Sequence, residues 1–106
     1  MAHYLVHARP KADRLSELGE RVGRDAFVDL EPFGRALSNG LRHARVEANG
    51  LAVWEEEDYC SPPLAQERAP VLDHYFDDIK VEPLLPGAGW RRIEALPRLF
   101  PNVGAA

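Results

Sequence analysis

His7, Arg9, His43, Arg45, Trp54, Glu56 and Asp58 are the side chains whose types and spacing suit chemistry in this 106-residue chain. Successive side chains of a strand point to opposite faces, so three extended segments, His3–Arg9, Leu41–Ala48 and Leu51–Asp58, would aim these groups at one side of a sheet. His43 would then lie across from Glu56. A carboxylate in that position holds an imidazole in one tautomer and raises its basicity, which makes His43 and Glu56 candidate catalytic residues. Arg9 and Arg45 beside Trp54 would grip a carboxylate or planar anion by paired hydrogen bonds and stacking. The structural alternative is a cross-strand charge ladder, in which each pair contributes ~0.2–1 kcal/mol.

Other constellations carry less. His3, His7, His43, Glu56 and Asp58 are possible zinc or iron ligands by type, but there is no His-Glu-x-x-His and no cysteine pair, so no metal and no cofactor is assigned. Asp73 and His74 are neighbours on a helix, where adjacent side chains diverge by ~100° and cannot form a dyad. The run Glu55-Glu56-Glu57-Asp58 alternates between faces if it is a strand, with Arg42 opposing Glu57. Cys60 is the only cysteine and has no histidine at a catalytic spacing.

The elements that must position these groups follow from patterning. Tyr4, Val6 and Ala8 alternate with His3, Leu5, His7 and Arg9, which predicts a first strand ending at Pro10. Leu15, Leu18 and Val22 predict a helix over Lys11–Val22, with Gly23 at its end. Arg24–Leu30 reads as a second helical piece with Ala26, Phe27 and Leu30 inward. Glu31–Gly40 reads as extended or irregular, broken by Ser38-Asn39-Gly40. Leu41–Ala48 and Leu51–Asp58 flank Asn49-Gly50, the dipeptide of a two-residue type I′ hairpin. That turn would set Ala48 against Leu51, Val46 against Val53, Arg45 against Trp54 and His43 against Glu56. Ser61 reads as an N-cap ahead of Pro62-Pro63, Pro70 as an interruption of the helix that follows, and Ile79–Pro83 as the last strand. Pro86–Gly89 reads as a linker, and Trp90–Leu99 as an arm with one or two helical turns. Asn102–Ala106 should fray.

Composition narrows the function classes. The chain is 45% hydrophobic and 28% charged, which fits one globular domain and excludes wholesale disorder. The net charge of −4, with basic residues scattered among acidic ones, lacks the footprint of a nucleic-acid binder. No apolar run approaches ~18 residues, the start Met1-Ala2-His3-Tyr4-Leu5-Val6-His7 has no secretory pattern, and a single cysteine suits a soluble cytoplasmic protein.

The stretch Ala69-Pro70-Val71-Leu72-Asp73-His74-Tyr75-Phe76-Asp77-Asp78-Ile79-Lys80-Val81-Glu82-Pro83 joins a short proline-containing helix to a strand ending Val-Glu-Pro. In this, and in its hairpin followed by a helix, the chain resembles the YciI-like group of the dimeric α/β-barrel superfamily. The likeness is one of pattern and spans residues 3–83. It implies a ferredoxin-like protomer, a homodimer with a pocket between sheet and partner, and a His–Asp pair in members thought to be enzymes. Ala69 stands where the group places an acid before the helix proline, and Pro10-Lys11-Ala12-Asp13 holds no histidine. That pair is therefore not carried over.

The sequence thus predicts an α+β, ferredoxin-like βαββαβ sandwich, a four-stranded antiparallel sheet with helices on one face. Residues 1–85 would form the domain and 86–106 an arm packed on it or on a partner subunit. A second copy is the simplest cover for the other sheet face, where Leu5 and Trp54 would sit among charges. The expected function is binding of a small polar or anionic ligand in the cleft of His7, Arg9, His43, Arg45, Trp54, Glu56 and Asp58. The alternatives are a small cofactor-independent enzyme using His/Glu acid–base chemistry, or an interaction module using the arm.

Overall fold

The computed structural model describes residues 2–103. Its elements run β1 (His3–Pro10), α1 (Leu15–Gly23), α2 (Gly34–Arg42), β2 (Arg45–Val46), β3 (Ala52–Glu57), α3 (Ala65–Glu67), a π-helical turn (Arg68–Leu72), α4 (Asp73–Tyr75), β4 (Phe76–Leu84) and α5 (Ala88–Ile93). The strands form one antiparallel sheet in the order β2-β3-β1-β4. Asn102 and Val103 form a bend and turn after Phe100, and the rest of the tail expected to fray lies outside the described residues. Among the described residues no helix is long and apolar enough to cross a membrane.

Directly paired residues of an antiparallel sheet share a face. Leu5 pairs with Glu55 and Glu82, and His7 with Val53 and Lys80, so these side chains share one face. Val6, Ala8, Ala52 and Trp54 look the other way, into the main core with Leu18, Phe27, Leu37, Leu41, Leu72 and Tyr75. The first face is covered as well: Leu5 and Val53 are buried against Ile93 of α5, with Leu84, Trp90 and Leu96 around them. Helices therefore lie on both sides of the sheet, which corrects the one-sided layering. The arm packs on its own domain.

The largest local difference concerns α2. Ser38-Asn39-Gly40 reads as a breaker, yet Gly34–Arg42 is a helix. Phe33, Leu37 and Leu41 recur at four-residue steps and all three are buried, and that stripe outweighs weak local propensity. Two of its glycines are sites of close packing. A Cβ on Gly40 would lie 2.6 Å from Cδ1 of Trp54, and one on Gly34 would lie 2.3 Å from the Phe27 carbonyl oxygen. By contrast the expected helical piece Arg24–Leu30 is a series of turns, with Phe27 inward but Ala26 and Leu30 exposed.

The hairpin exists, with a different turn and a different register. Gly50 N–H donates to the Glu47 carbonyl at 2.8 Å, and Glu47 N–H to that of Leu51 at 2.9 Å. Gly50 has φ +86°, whereas Ala48 and Asn49 stay at negative φ. A type I′ turn needs positive φ at both Asn49 and Gly50, so the loop is three residues long, closed by Gly50, with Asn49 Oδ1 accepting from Leu51 N–H at 3.1 Å. Arg45 consequently pairs with Val53 and Val46 with Ala52, one residue off the expected register. A one-residue slip exchanges faces. Val53 leaves the helix side for the arm side, and Trp54 and Glu56 enter the core. The strand Leu41–Ala48 shrinks to Arg45–Val46, because α2 takes Leu41 and Arg42; Arg42 then bonds Asp25 and the Val22 carbonyl and does not meet Glu57.

Later in the chain Ser61 caps nothing. Leu64, at φ +68°, precedes α3, and the buried Asp58 Oδ2 accepts its N–H. The expected interruption at Pro70 is the π-helical turn. Ile79 and Val81 of β4 pack inward on the core as expected.

Candidate functional site

β3 ends in Glu55, Glu56 and Glu57, Asp58 follows it, and the fold sends these acidic residues to different environments. Glu55, on the arm side and 4% exposed, is the anchor of α5. Its carboxylate accepts from the backbone N–H groups of Gly87 (2.8 Å), Gly89 (2.9 Å) and Trp90 (3.1 Å), and sits 3.1 Å from Nδ1 of His3. Burial opposes its ionisation, but these hydrogen bonds outweigh burial and hold its pKa below the usual carboxylate range. Glu57 is half-buried and accepts from the Tyr59 hydroxyl at 2.6 Å.

Glu56 points into the core. Its Oε1 accepts from Trp54 Nε1 at 2.9 Å. Its other oxygen and both oxygens of Glu67, itself 1% exposed, meet no N–H or O–H donor from the rest of the described residues. A proton on one carboxyl and shared with the other would pair two of these three oxygens and leave the third without a partner. Burial, the Glu56 carboxylate and the nearby Asp58 and Cys60 push Glu67 up to about 11. Burial also raises Glu56, against the opposing effect of hydrogen bonds from Glu67 and Trp54, with Asp58 adding to the rise. The indole N–H marks Glu56 as the member that takes the charge and Glu67 as the one that keeps the proton. Glu67 was missed in the sequence. The signal was its place between Leu64 and Val71 at three- and four-residue steps, on the inward stripe.

The expected cleft does not assemble as a whole. His7 Nδ1 lies 2.9 Å from Glu47, and Arg9 bonds the exposed Asp78 at 3.3 Å. Trp54 is fully buried and packs on Phe76 with ring centroids 5.3 Å apart. Glu56 and Asp58 are interior, and His43 caps the exposed C-terminal end of α2 with Nδ1 3.0 Å from the Asn39 carbonyl. The His43–Glu56 pair is thus not formed, because residue 43 is the C-cap of α2 and not part of a strand, and Glu56 faces the core. Asp73 and His74 are both exposed, and Arg68 sits 3.5 Å from Asp73.

Two members of the expected set do meet. His43 and Arg45 line a recess of about 390 Å³ with Asn39, Trp90, Arg91 and Glu94. Arg45 reaches it from β2 and donates Nη1 to the carbonyls of Glu94 (3.0 Å) and Leu96 (2.7 Å), which fixes both its own side chain and the arm. Its Nε is buried and has no acceptor. Trp90 takes the place expected for Trp54, its ring nearly perpendicular to that of His43 with 6.2 Å between centroids. The amphipathic spacing of Trp90, Ile93 and Leu96 was the sequence signal for it. A smaller recess of about 180 Å³ shares Asn39 and Trp90 with it and is also lined by His3, Ala36, Glu55, Glu56 and Glu57. A third, of about 470 Å³, shares Ala36 and Glu57 with it and reaches Arg35, Asp58, Tyr59 and Cys60. No group of three or more metal-ligating side chains converges among the described residues. Comparison with family models, curated proteins and solved structures finds no match to this chain.

Proposed function

We propose that this chain binds a small anionic ligand, a carboxylate or planar anion, in the recess of His43, Arg45, Trp90 and Arg91. The observation that carries this is the buried Nε–H of Arg45, a donor without an acceptor on a residue that lines the recess together with the Arg91 guanidinium, the His43 imidazole, the Trp90 indole, Asn39 and Glu94. A buried donor left unpaired costs ~1–3 kcal/mol, and an anion on that nitrogen recovers the cost through a charge-assisted hydrogen bond. Glu94 is the one acidic residue in the lining. The strand order β2-β3-β1-β4, with α1, α2 and the α3–α4 segment packed on one face, supports reading the framework as a ferredoxin-like split βαβ domain to which α5 is added. Kinship with the YciI-like group is proposed on the sequence pattern alone.

The test is titration with benzoate by calorimetry at low salt. Wild type should bind, and Arg91→Glu should weaken binding by about tenfold or more, the equivalent of one lost charge-assisted contact. Arg91 is exposed and outside the core, so this variant should keep its fold. Unchanged binding in Arg91→Glu would overturn the assignment.

An acid–base enzyme is the second reading. It is favoured by the proton held between Glu56 and Glu67, with Glu56 in the wall of the adjoining small recess. Turnover that survives Glu56→Gln would remove it. The interaction-module reading needs a free arm, and α5 is docked on its own sheet.

A further inference from the structure

Trp90 and Asn39 line two recesses of opposite character. On one side stand His43, Arg45 and Arg91. On the other, in the smaller recess, stand Glu56, Glu57 and His3. Each side holds a buried polar atom lacking a conventional partner. In the basic recess it is Arg45 Nε, a donor. In the acidic one it is Nε2 of His3, buried and left as an acceptor when Nδ1–H donates to Glu55. The acidic side also offers Glu57 Oε1, since Oε2 is the oxygen that takes the Tyr59 hydroxyl. Glu55 is not available, because three backbone N–H groups and His3 surround it. An indole wall shared by the two suits a cation on the acidic side, which its face attracts, as well as the apolar body of a ligand lying across it.

We propose that the ligand is a zwitterion, a compact amino acid or ω-amino acid, with its carboxylate at Arg45 and Arg91 and its ammonium at Glu57. The proposal rests on the anion-binding reading above and adds the second charge. A simple carboxylate fills half of the site and leaves the acidic recess hydrated. An amine alone meets Glu57 but is repelled by the arginines. A molecule carrying both charges satisfies both ends and gains from the single loss of translational freedom shared by its two contacts.

The experiment is a calorimetric series at low salt with butyrate, butylamine and 4-aminobutyrate, extended to glycine, β-alanine and 6-aminohexanoate to find the matching span. The expected result is that one ω-amino acid binds about tenfold or more tightly than the carboxylate of the same length. Glu57→Gln should abolish that advantage while leaving butyrate and benzoate binding as in wild type. If butyrate and 4-aminobutyrate bind alike at every length, or if Glu57→Gln retains the advantage, the zwitterion is wrong and the anion site stands. If neither benzoate nor any member of the series binds, both proposals are wrong. Glu57→Asp, which keeps the charge, should retain part of the advantage; a variant disturbed only in its fold would lose benzoate binding too.

Discussion

Glu56 and Glu67 place two carboxyls in the buried interior, neither in a salt bridge with a cation among the described residues. The folded state therefore binds a proton that the unfolded chain releases in the ordinary carboxyl range. The sign follows: with the folded pKa of Glu67 raised, the proton-dependent stability is complete at low pH and is lost as pH rises from about 4.5 towards about 11. Urea denaturation across this range should show stability falling with a slope of up to ~1.4 kcal/mol per pH unit. Glu67→Gln, which imitates the protonated acid, should flatten the slope and raise stability at pH 8; a steeper slope or a lower midpoint would contradict the shared proton. Glu55 behaves in the opposite sense. Its pKa is depressed, so its contribution is present above the ordinary carboxyl range and is lost as pH falls below it. Glu55→Ala leaves backbone N–H groups of the arm without an acceptor and should cost about 1–3 kcal/mol in thermal or urea unfolding. The acidic run could not be sorted from the sequence alone, because alternation says that Glu55 and Glu56 face opposite ways but not which face is the core.

That ambiguity comes from the hairpin. Asn49-Gly50 correctly marks a reversal, and the two-residue and three-residue turns that use it differ by one residue, enough to exchange the faces of β3. The side chains of β3 held the resolving clue: Trp54 is too large to leave on an open face, and Gly40 provides its niche in α2. A helix over Ser38-Asn39-Gly40 is illegible to local propensity, because the contact that favours glycine there is 14 positions away in sequence (54 − 40). Gly40→Ala should thus destabilise by ~1–3 kcal/mol through overpacking against the indole, despite alanine being the better helix former. A stabilised Gly40→Ala in thermal unfolding would show that the α2–β3 packing is wrong. β1, α1, β4 and the interruption at Pro70 were legible since each rests on its own short pattern. Of the expected cleft, His43 and Arg45 come together, and they do so on a wall built by α2, β2 and the arm.

The chain closes its own sheet. An uncovered face shared by Leu5 and charged neighbours was the reason to expect a second copy, and α5 now supplies that cover with Ile93 and Trp90. A homodimer would have to use other surface, and β4, the outer strand on that side of the sheet, offers nine residues bearing Asp77, Asp78, Lys80 and Glu82. Such charges discourage edge pairing. Chain ending at Leu85 should expose Leu5 and Val53, lose on the order of 3 kcal/mol or more of burial, and self-associate in light scattering. Intact chain should show no association driven by that face. The arm's role in the site is equally direct, because Trp90 and Arg91 come from α5 while His43 and Arg45 come from the domain beneath it. Amide and indole NMR spectra of the ¹⁵N-labelled chain, titrated with benzoate, probe that arrangement at once. The predicted result is shifts concentrated at the Trp90 indole N–H, Asn39, His43, Arg45 and Arg91. Shifts centred instead on His7, Arg9 and Lys80, with Trp90 unmoved, would contradict it.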